Sequence, residues 1–481
     1  MHISRKELRI WAWCMLIAAS VLFFCSKSSP GYPVNDWSDA NIYFSIGKGM
    51  TEGRIVYRDL YDHKGPLLYA LHALCAWISF TDFTGVFVME VVLASSFLYA
   101  AHRFMRLFAQ ERAASVLLPV LAVAVYSSFS FSEGDSAEEM ALPMMMATLA
   151  AVCAHFRSGR REMQTGSLIL HGFLTGCVFW IKFTMIGVHA GLLGWVLLSV
   201  LIHQEWKAFF RSLGWLMAGF ALSTLPWVIY FGLNGAIGDW LKVYLYDNLF
   251  LYSGQSAGIL SRVKAMALAG LDWALENLRY TVLAAAGLVW FAVREKECRT
   301  AVLLSAALGA LAVFAGGKSY PYYGLALAGF AVLGLRVIAS AIHPPKWLAP
   351  AALALCVAAC PVISHNMNAD YGAPFGSEKK ETMQYRIASH LPADATLLNY
   401  GFMDAGFFTA AGISPDVKYF HQTNVPLQEM KDEQNRYLSE GVTEYVVARN
   451  PLSQDVPYEL IAEENSPNFW YEKVYLYRRK P

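Results

Sequence analysis

The sequence predicts an all-α polytopic membrane domain followed by a small soluble domain of α/β or α+β type. Three observations carry this. Of the 481 residues, 56% are hydrophobic and only 16% are charged, whereas soluble chains carry about 25% charged residues. Long apolar runs follow one another at 10–27, 67–80, 84–105, 115–131, 140–156, 166–182, 184–203, 208–231, 279–294, 299–315, 320–338 and 347–363. From 364 onward the chain turns charged and loses its long apolar runs. A bilayer is crossed by roughly 20 apolar residues, so about 11–13 spans are expected. The expected domains are 1–363 in the membrane, with a first external loop at 28–66, and 364–481 outside it.

The basic N-terminus, with Arg5, Lys6 and Arg9, precedes the first apolar run. No small-residue cleavage site follows, so a retained first transmembrane helix is expected rather than a signal peptide. Lys and Arg in short loops mark the cytoplasmic side. By that rule the N-terminus, Arg103–Arg112, Arg157–Arg161, His203–Lys207, Arg294–Arg299 and Lys346 are cytoplasmic. The assignment is self-consistent only if 67–80 and 84–105 make one net crossing, one of them being re-entrant or interfacial; otherwise the Arg103 cluster breaks the charge rule. Loops 28–66, 132–139, 232–278 and 316–320, the Lys182 end of a span and the tail then face outside. The eight cysteines show no metal-type spacing and no disulfide framework. In the tail, TLLNY, EYVVA and YEKVYLYRR alternate as strands do, and SEKKETMQYRIASHL and LQEMKDEQNRYLSEG read as amphipathic helices.

Candidate chemistry gathers in the external loops. Asp36 and Asp39 stand three apart before a helical apolar period. Either carboxylate could cap that helix, or act as a general base at the membrane boundary. The stretch Tyr57 to Pro66 holds Arg58, Asp62, His63 and Lys64 directly before Gly-Pro and an apolar helix. Proline favours a first helical turn, so Lys64 sits where the helix dipole opposes its charge. A phosphate there would satisfy both the Lys and the free N–H groups. The plainer alternative is an interfacial Lys against lipid headgroups.

Glu133, Asp135, Glu138 and Glu139 form a second acidic cluster that runs into an apolar helix. Lys182, and Lys318 with Tyr320, Tyr322 and Tyr323, could complete a basic, aromatic pocket for a phosphate and a sugar, or simply snorkel. Donor-phosphate candidates are thus Lys64, His63, Arg58, Lys182 and Lys318. Acceptor or sugar candidates are Asp62, Glu138, Glu139, Tyr320 and Tyr323. No cofactor is certain; a divalent cation, Mg or Mn, on Glu138, Glu139 and Asp39 is the one candidate. Glu90 lies inside an apolar run and is a functional candidate for that reason. His72, His171 and His189 read as packed side chains. No Walker A loop, G-x-G-x-x-G or G-x-S-x-G is present, so neither nucleotide nor nucleic acid is an expected partner. A donor at an outer-face site must arrive already activated, and a lipid carrier is its natural form.

SDANIYFSIGKGMTEG followed by DHKGPLLY resembles the first external loop of the GT-C superfamily of multispanning glycosyltransferases. That group includes protein O-mannosyltransferases, the lipid A aminoarabinose transferase and the bacterial RgtA/B/C/D-like transferases. GGKSYPYYGLALAGF and NYGFMDAGFFTAAGISPDVKYF are similar to later stretches of the bacterial members. The resemblance implies Asp39 as catalytic base, Lys64 as phosphate-binding residue and Glu139 or Glu138 as the second-loop acid. It departs where many relatives have Asp-Glu, since Ala40 follows Asp39 here, and Asp36 is the candidate second acid. It also implies a polyprenyl-phosphate sugar donor, a glycan, lipid or protein acceptor, an inverting single displacement and a bacterial inner membrane. Loop 232–278, with Trp240, Tyr244, Tyr246, Tyr252 and Trp273, would lie at the membrane interface, either ordering the donor or as a plain surface helix. A transporter or flippase of lipid-linked sugars, and a non-catalytic assembly partner, are the rival readings.

Overall fold

The computed structural model describes residues 4–252, 258–368, 373–466 and 472–481. Positions 253–257 of the expected loop 232–278, and 369–372 and 467–471 of the tail, lie outside them. Among the described residues, six helices are long and apolar enough to cross a membrane: Arg5–Cys25, Thr84–Met105, Ala137–Arg157, Phe183–Ile202, Trp206–Leu233 and Pro321–Ala341. Four apolar helices are shorter: Pro66–Ala76, Thr165–Ile181, Arg299–Phe314 and Leu348–Ile363. Several runs read as spans from sequence are therefore short or broken helices.

By contacts the chain divides into two units. The first is Met1–Cys25, Glu90–Pro226 and Ala257–Asn368; the second is Ser26–Met89, Trp227–Ser256 and Ala369–Pro481. The tail after 368 thus groups with the first external loop.

The first unit is a helical bundle. Arg299–Phe314 packs on Gly187–Ile202, Leu278–Arg294 on Ala331–Ala341, and Leu348–Ile363 on Glu111–Tyr126. Small residues permit this closeness, as in other membrane bundles. A Cβ on Gly287 would lie 2.4 Å from Gly334 N, and one on Gly334 would lie 2.3 Å from Leu283 O. The clash is with backbone, which cannot swing aside. Gly334→Ala is expected to lower the thermal midpoint of the detergent-solubilised protein, at a cost of about 1–3 kcal/mol for overpacking. The outward faces are apolar, with Met217, Leu222 and Leu225 exposed, as suits contact with lipid.

The basic loops of this unit meet through ion pairs. Lys6 and Arg106 share Glu111. Arg161 pairs with Glu205 at 2.8 Å, and Arg211 pairs with Glu162. Arg157 lies 3.5 Å from Glu295, which also binds Arg336. Arg157 and Arg336 both sit over the Phe108 ring, at 4.4 and 4.3 Å. The loops that the charge pattern places on one face are joined to one another.

In the second unit the helices Ser38–Thr51 and Pro66–Ala76 pack together. They touch backbone to backbone at Gly47, where a Cβ would lie 2.6 Å from the His72 carbonyl carbon. Pro66–Ala76 has 11 residues, roughly 16 Å of helix. That is about half a bilayer core, whereas Thr84–Met105 is long and apolar enough to cross.

A four-stranded sheet completes the unit, in the order β1 (Leu397–Tyr400), β2 (Tyr445–Ala448), β4 (Lys473–Arg479), β3 (Tyr458–Asn465). β1 and β2 are parallel, with Leu398 opposite Val446. β4 is antiparallel to both its neighbours. Three of the strands are the alternating stretches read from the sequence. The helix Gln428–Glu440, also anticipated, lies in the connection from β1 to β2.

Candidate active site

The site is built on the N-terminus of one buried helix and the loop that leads into the next. Ser38–Thr51 begins after Trp37, whose N–H donates to Asn35 Oδ1 at 3.0 Å. Asn41 Nδ2 donates to the Asn35 and Trp37 carbonyls and pins this end. The N-cap residue Trp37 makes no side-chain cap bond, and Asp39 stands in the first turn. Its Oδ2 accepts from the Tyr43 hydroxyl at 3.0 Å. Asp39 and Tyr43 are four apart and share a face.

The loop is held by buried tyrosines. Tyr57 has a left-handed φ of 72°, a strained conformation for a bulky residue that its surroundings must enforce. Its N–H donates to the Leu60 carbonyl at 2.7 Å and its hydroxyl to the Lys64 carbonyl at 2.6 Å. The Lys64 N–H donates to the Tyr69 hydroxyl at 2.9 Å, and that hydroxyl donates to Asp62 Oδ2 at 2.6 Å. Asn248, from Leu241–Tyr252, donates to the His63 carbonyl at 2.6 Å. Three contacts thus fix the backbone of His63 and Lys64.

The side chains converge. Lys64 Nζ lies 3.8 Å from Asp39 Oδ2, 3.4 Å from His63 Nε2 and 5.7 Å from the Tyr43 ring centroid. His63 Nδ1 lies 3.1 Å from Asp62 Oδ1. Nε2 is the ring atom that faces the ammonium. Burial and the Lys64 charge hold the His63 imidazole below its usual range, so it stays neutral near pH 7. Burial opposes ionisation of Asp62, but His63 and Lys64 together draw its carboxyl below the usual carboxylate range. Asp62 and His63 are buried, while the Lys64 and Asp39 side chains keep 12% and 11% exposure. The cluster therefore sets one ammonium against one carboxylate, both largely buried, on a buried polar frame.

The other expected residues are described within their own units. Asp36 is bound to the buried Lys27 at 2.6 Å. Arg58 pairs with Asp59 and donates to the Asn234 carbonyl. In the first unit, Ser136 caps Ala137–Arg157 by accepting from the Glu139 N–H at 3.1 Å. Glu138 pairs with Lys182, whose Nζ lies 3.8 Å from the Tyr323 ring centroid. Tyr320 packs on Tyr322 and Tyr323, and Lys318 is half-buried in the loop before them. Glu90 and Glu139 both accept from the Asp135 N–H at 2.9 Å. His72 bonds the Leu68 carbonyl, and His171 and His189 flank Thr148, as packed side chains do.

Sequence reasoning missed Tyr43, Tyr69 and Asn248. The i, i+4 spacing of Asp39 and Tyr43 was a readable signal; Asn248 carried none. It also missed Lys48, which is fully buried and donates to the Ile413 carbonyl at 2.8 Å. Burial pushes its ammonium down to about 7, against about 10.4 in an unfolded chain. Between those values the unfolded chain holds one more proton, so stability rises with pH by about 1.4 kcal/mol per unit. The thermal midpoint of wild type should climb between pH 7.5 and 9 relative to Lys48→Met, which lacks the titrating group. Parallel pH profiles would remove Lys48 from the account.

No family model and no curated protein matches the sequence. A solved structure does. The crystal structure of ArnT from Cupriavidus metallidurans bound to undecaprenyl phosphate superimposes with a TM-score of 0.58. The match covers 97% of this chain and 98% of that one at 13% identity. The chain has the GT-C fold. Its GT-C fold takes in both the helices and the C-terminal sheet, since so little of either chain is left uncovered. Among the described residues six helices are long and apolar enough to cross a membrane, and the protein is an integral membrane protein.

Proposed function

We propose that the protein is a membrane glycosyltransferase that moves a sugar from a polyprenyl-phosphate donor to an acceptor hydroxyl on the outer face of the membrane. The observation that carries this reading is the Asp39–Lys64 pair, 3.8 Å apart, with His63 against the ammonium and Tyr43 against the carboxylate. The ArnT structure, which shares the fold, holds undecaprenyl phosphate, and that supports a lipid-phosphate donor here.

The roles follow from the geometry. The donor phosphate takes the Lys64 ammonium, a charge-assisted contact that draws Lys64 away from Asp39. Asp39, still held by Tyr43, then accepts the proton of the acceptor hydroxyl. The acceptor oxygen forms its bond to the anomeric carbon as the bond from that carbon to the phosphate oxygen breaks. The electron pair leaves with polyprenyl phosphate, whose charge Lys64 stabilises. One displacement inverts the anomeric centre. Asp62, Tyr69 and Asn248 act as positioning residues on His63 and Lys64.

A divalent cation fits only in part. Glu138 Oε2 and Glu139 Oε1 are buried without a hydrogen-bond partner. Among the described residues no three His, Cys, Asp or Glu side chains group as metal ligands. Two oxygens fall short of the six that magnesium takes, so water would have to supply most of the rest.

The test is turnover. The protein in nanodiscs is incubated with a panel of polyprenyl-phosphate sugars, and donor consumption is followed by mass spectrometry with and without glycan, lipid and peptide acceptors. Consumption of one donor with a glycosylated product supports the transferase. Movement of intact donor between leaflets without consumption would move the reading to a flippase.

A further inference from the structure

A second site lies in the C-terminal segment. β1 and β2 run parallel and end side by side at Tyr400 and Ala448. A cavity of about 300 Å³ opens beyond these two ends, against the helix Gln428–Glu440. Crevices at the carboxyl ends of parallel strands are where open sheets bind ligands, and the volume is at the lower end of the range for small-molecule sites.

Its lining has a definite chemistry. Lys431 comes from the helix and Arg449 from the end of β2, and no acidic residue lines the cavity. Among the described residues neither cation has an ion-pair or hydrogen-bond partner. Nearby arginines of the same segment are paired: Arg386 with Glu464, Arg436 with Glu433 and Glu440, Arg478 with Glu459. The remaining polar lining includes the amides Gln422, Asn435 and Asn450 and the phenol Tyr400. Tyr400 donates to Asn435 Oδ1 at 2.6 Å, which leaves the Asn435 amide hydrogens for a ligand. The floor is braced: buried Gln434 accepts from the Gly401 N–H at 3.2 Å and donates to the Asn399 and Tyr419 carbonyls. Gly401 has φ +80°, a turn that glycine makes without strain.

Two unneutralised cations select an anion. Amides that both donate and accept, beside an aromatic ring, suit sugar hydroxyls. We infer that this cavity binds a sugar unit carrying a carboxylate or a phosphate, as part of the acceptor. Only the word acceptor rests on the transferase reading; the binding site stands on its own lining.

The experiment titrates the full-length protein in nanodiscs with glucuronic acid, glucose 6-phosphate and neutral glucose by calorimetry. It is repeated on Arg449→Gln, Lys431→Gln and the double variant, with circular dichroism confirming their fold. At least one anionic sugar should bind 10-fold or more tighter than glucose, and the double variant should lose that margin. Equal binding of glucose, an unchanged double variant, or no saturation by any probe overturns the site. If the singles fold and the double does not, each single should lose part of the margin, and no loss in either overturns the site. Donor turnover is measured on the same wild-type sample. Sugar binding without turnover sinks the transferase reading alone, and turnover without sugar binding sinks this one alone.

Discussion

Asp39→Asn should lower the rate of sugar transfer by roughly 10²- to 10⁴-fold, the span over which a positioned general base contributes, while undecaprenyl phosphate still binds. The substitution keeps the size of the side chain and an oxygen for the Tyr43 hydroxyl, which now donates to Oδ2 at 3.0 Å. It removes the site that takes a proton. It also removes the carboxylate that holds Lys64 at 3.8 Å, so the ammonium is freer for a phosphate, and lipid affinity should hold or rise. Transfer rates by mass spectrometry and binding of undecaprenyl phosphate by calorimetry check the two halves. Equal turnover by both proteins would take Asp39 out of the mechanism. Attention would then pass to Asp36, whose present partner is the buried Lys27.

Lys64→Met should show the complementary pattern. Methionine keeps most of the length and loses the charge. A hydrogen bond to a charged group contributes about 1.5–3 kcal/mol, so undecaprenyl phosphate affinity should fall about 10- to 150-fold. The rate should fall as well, because the same ammonium faces the leaving phosphate as its charge grows. KM and kcat thus move together, whereas Asp39→Asn moves kcat alone. A Lys64→Met protein that binds the lipid phosphate as wild type does would place the phosphate elsewhere. The buried frame should survive, since Tyr57 and Tyr69 hold the Lys64 backbone rather than its side chain.

These predictions rest on features of unequal visibility. The helix starting at Ser38, the break at Lys64-Gly65-Pro66 and the strands at Leu397 and Tyr445 are local patterns of apolar spacing and turn residues. The same holds for the face shared by Asp39 and Tyr43. The chain alone also determined the membrane class, because an excess of apolar residues with few charges has no other stable solvent. That the likeness to ArnT runs over 97% of the chain at 13% identity fits this view, since patterning survives where individual residues do not.

Tertiary structure decided the rest. Asp36 and Asp39, alike in sequence, part company because Lys27 is folded against one and Lys64 against the other. Lys182, read either as a snorkelling side chain or as part of a basic, aromatic pocket, is matched by Glu138 from 44 residues away. Glu90, with no partner in the sequence, meets the Asp135 amide beside Glu139. Lys48 reaches across 365 residues to Ile413, which joins the tail to the first loop. A charge's neighbour in space depends on chain closure over hundreds of residues. Periodicity reports only which face a side chain is on, so composition and spacing determined the membrane class and the candidate charges, and the packing alone determined which charge meets which.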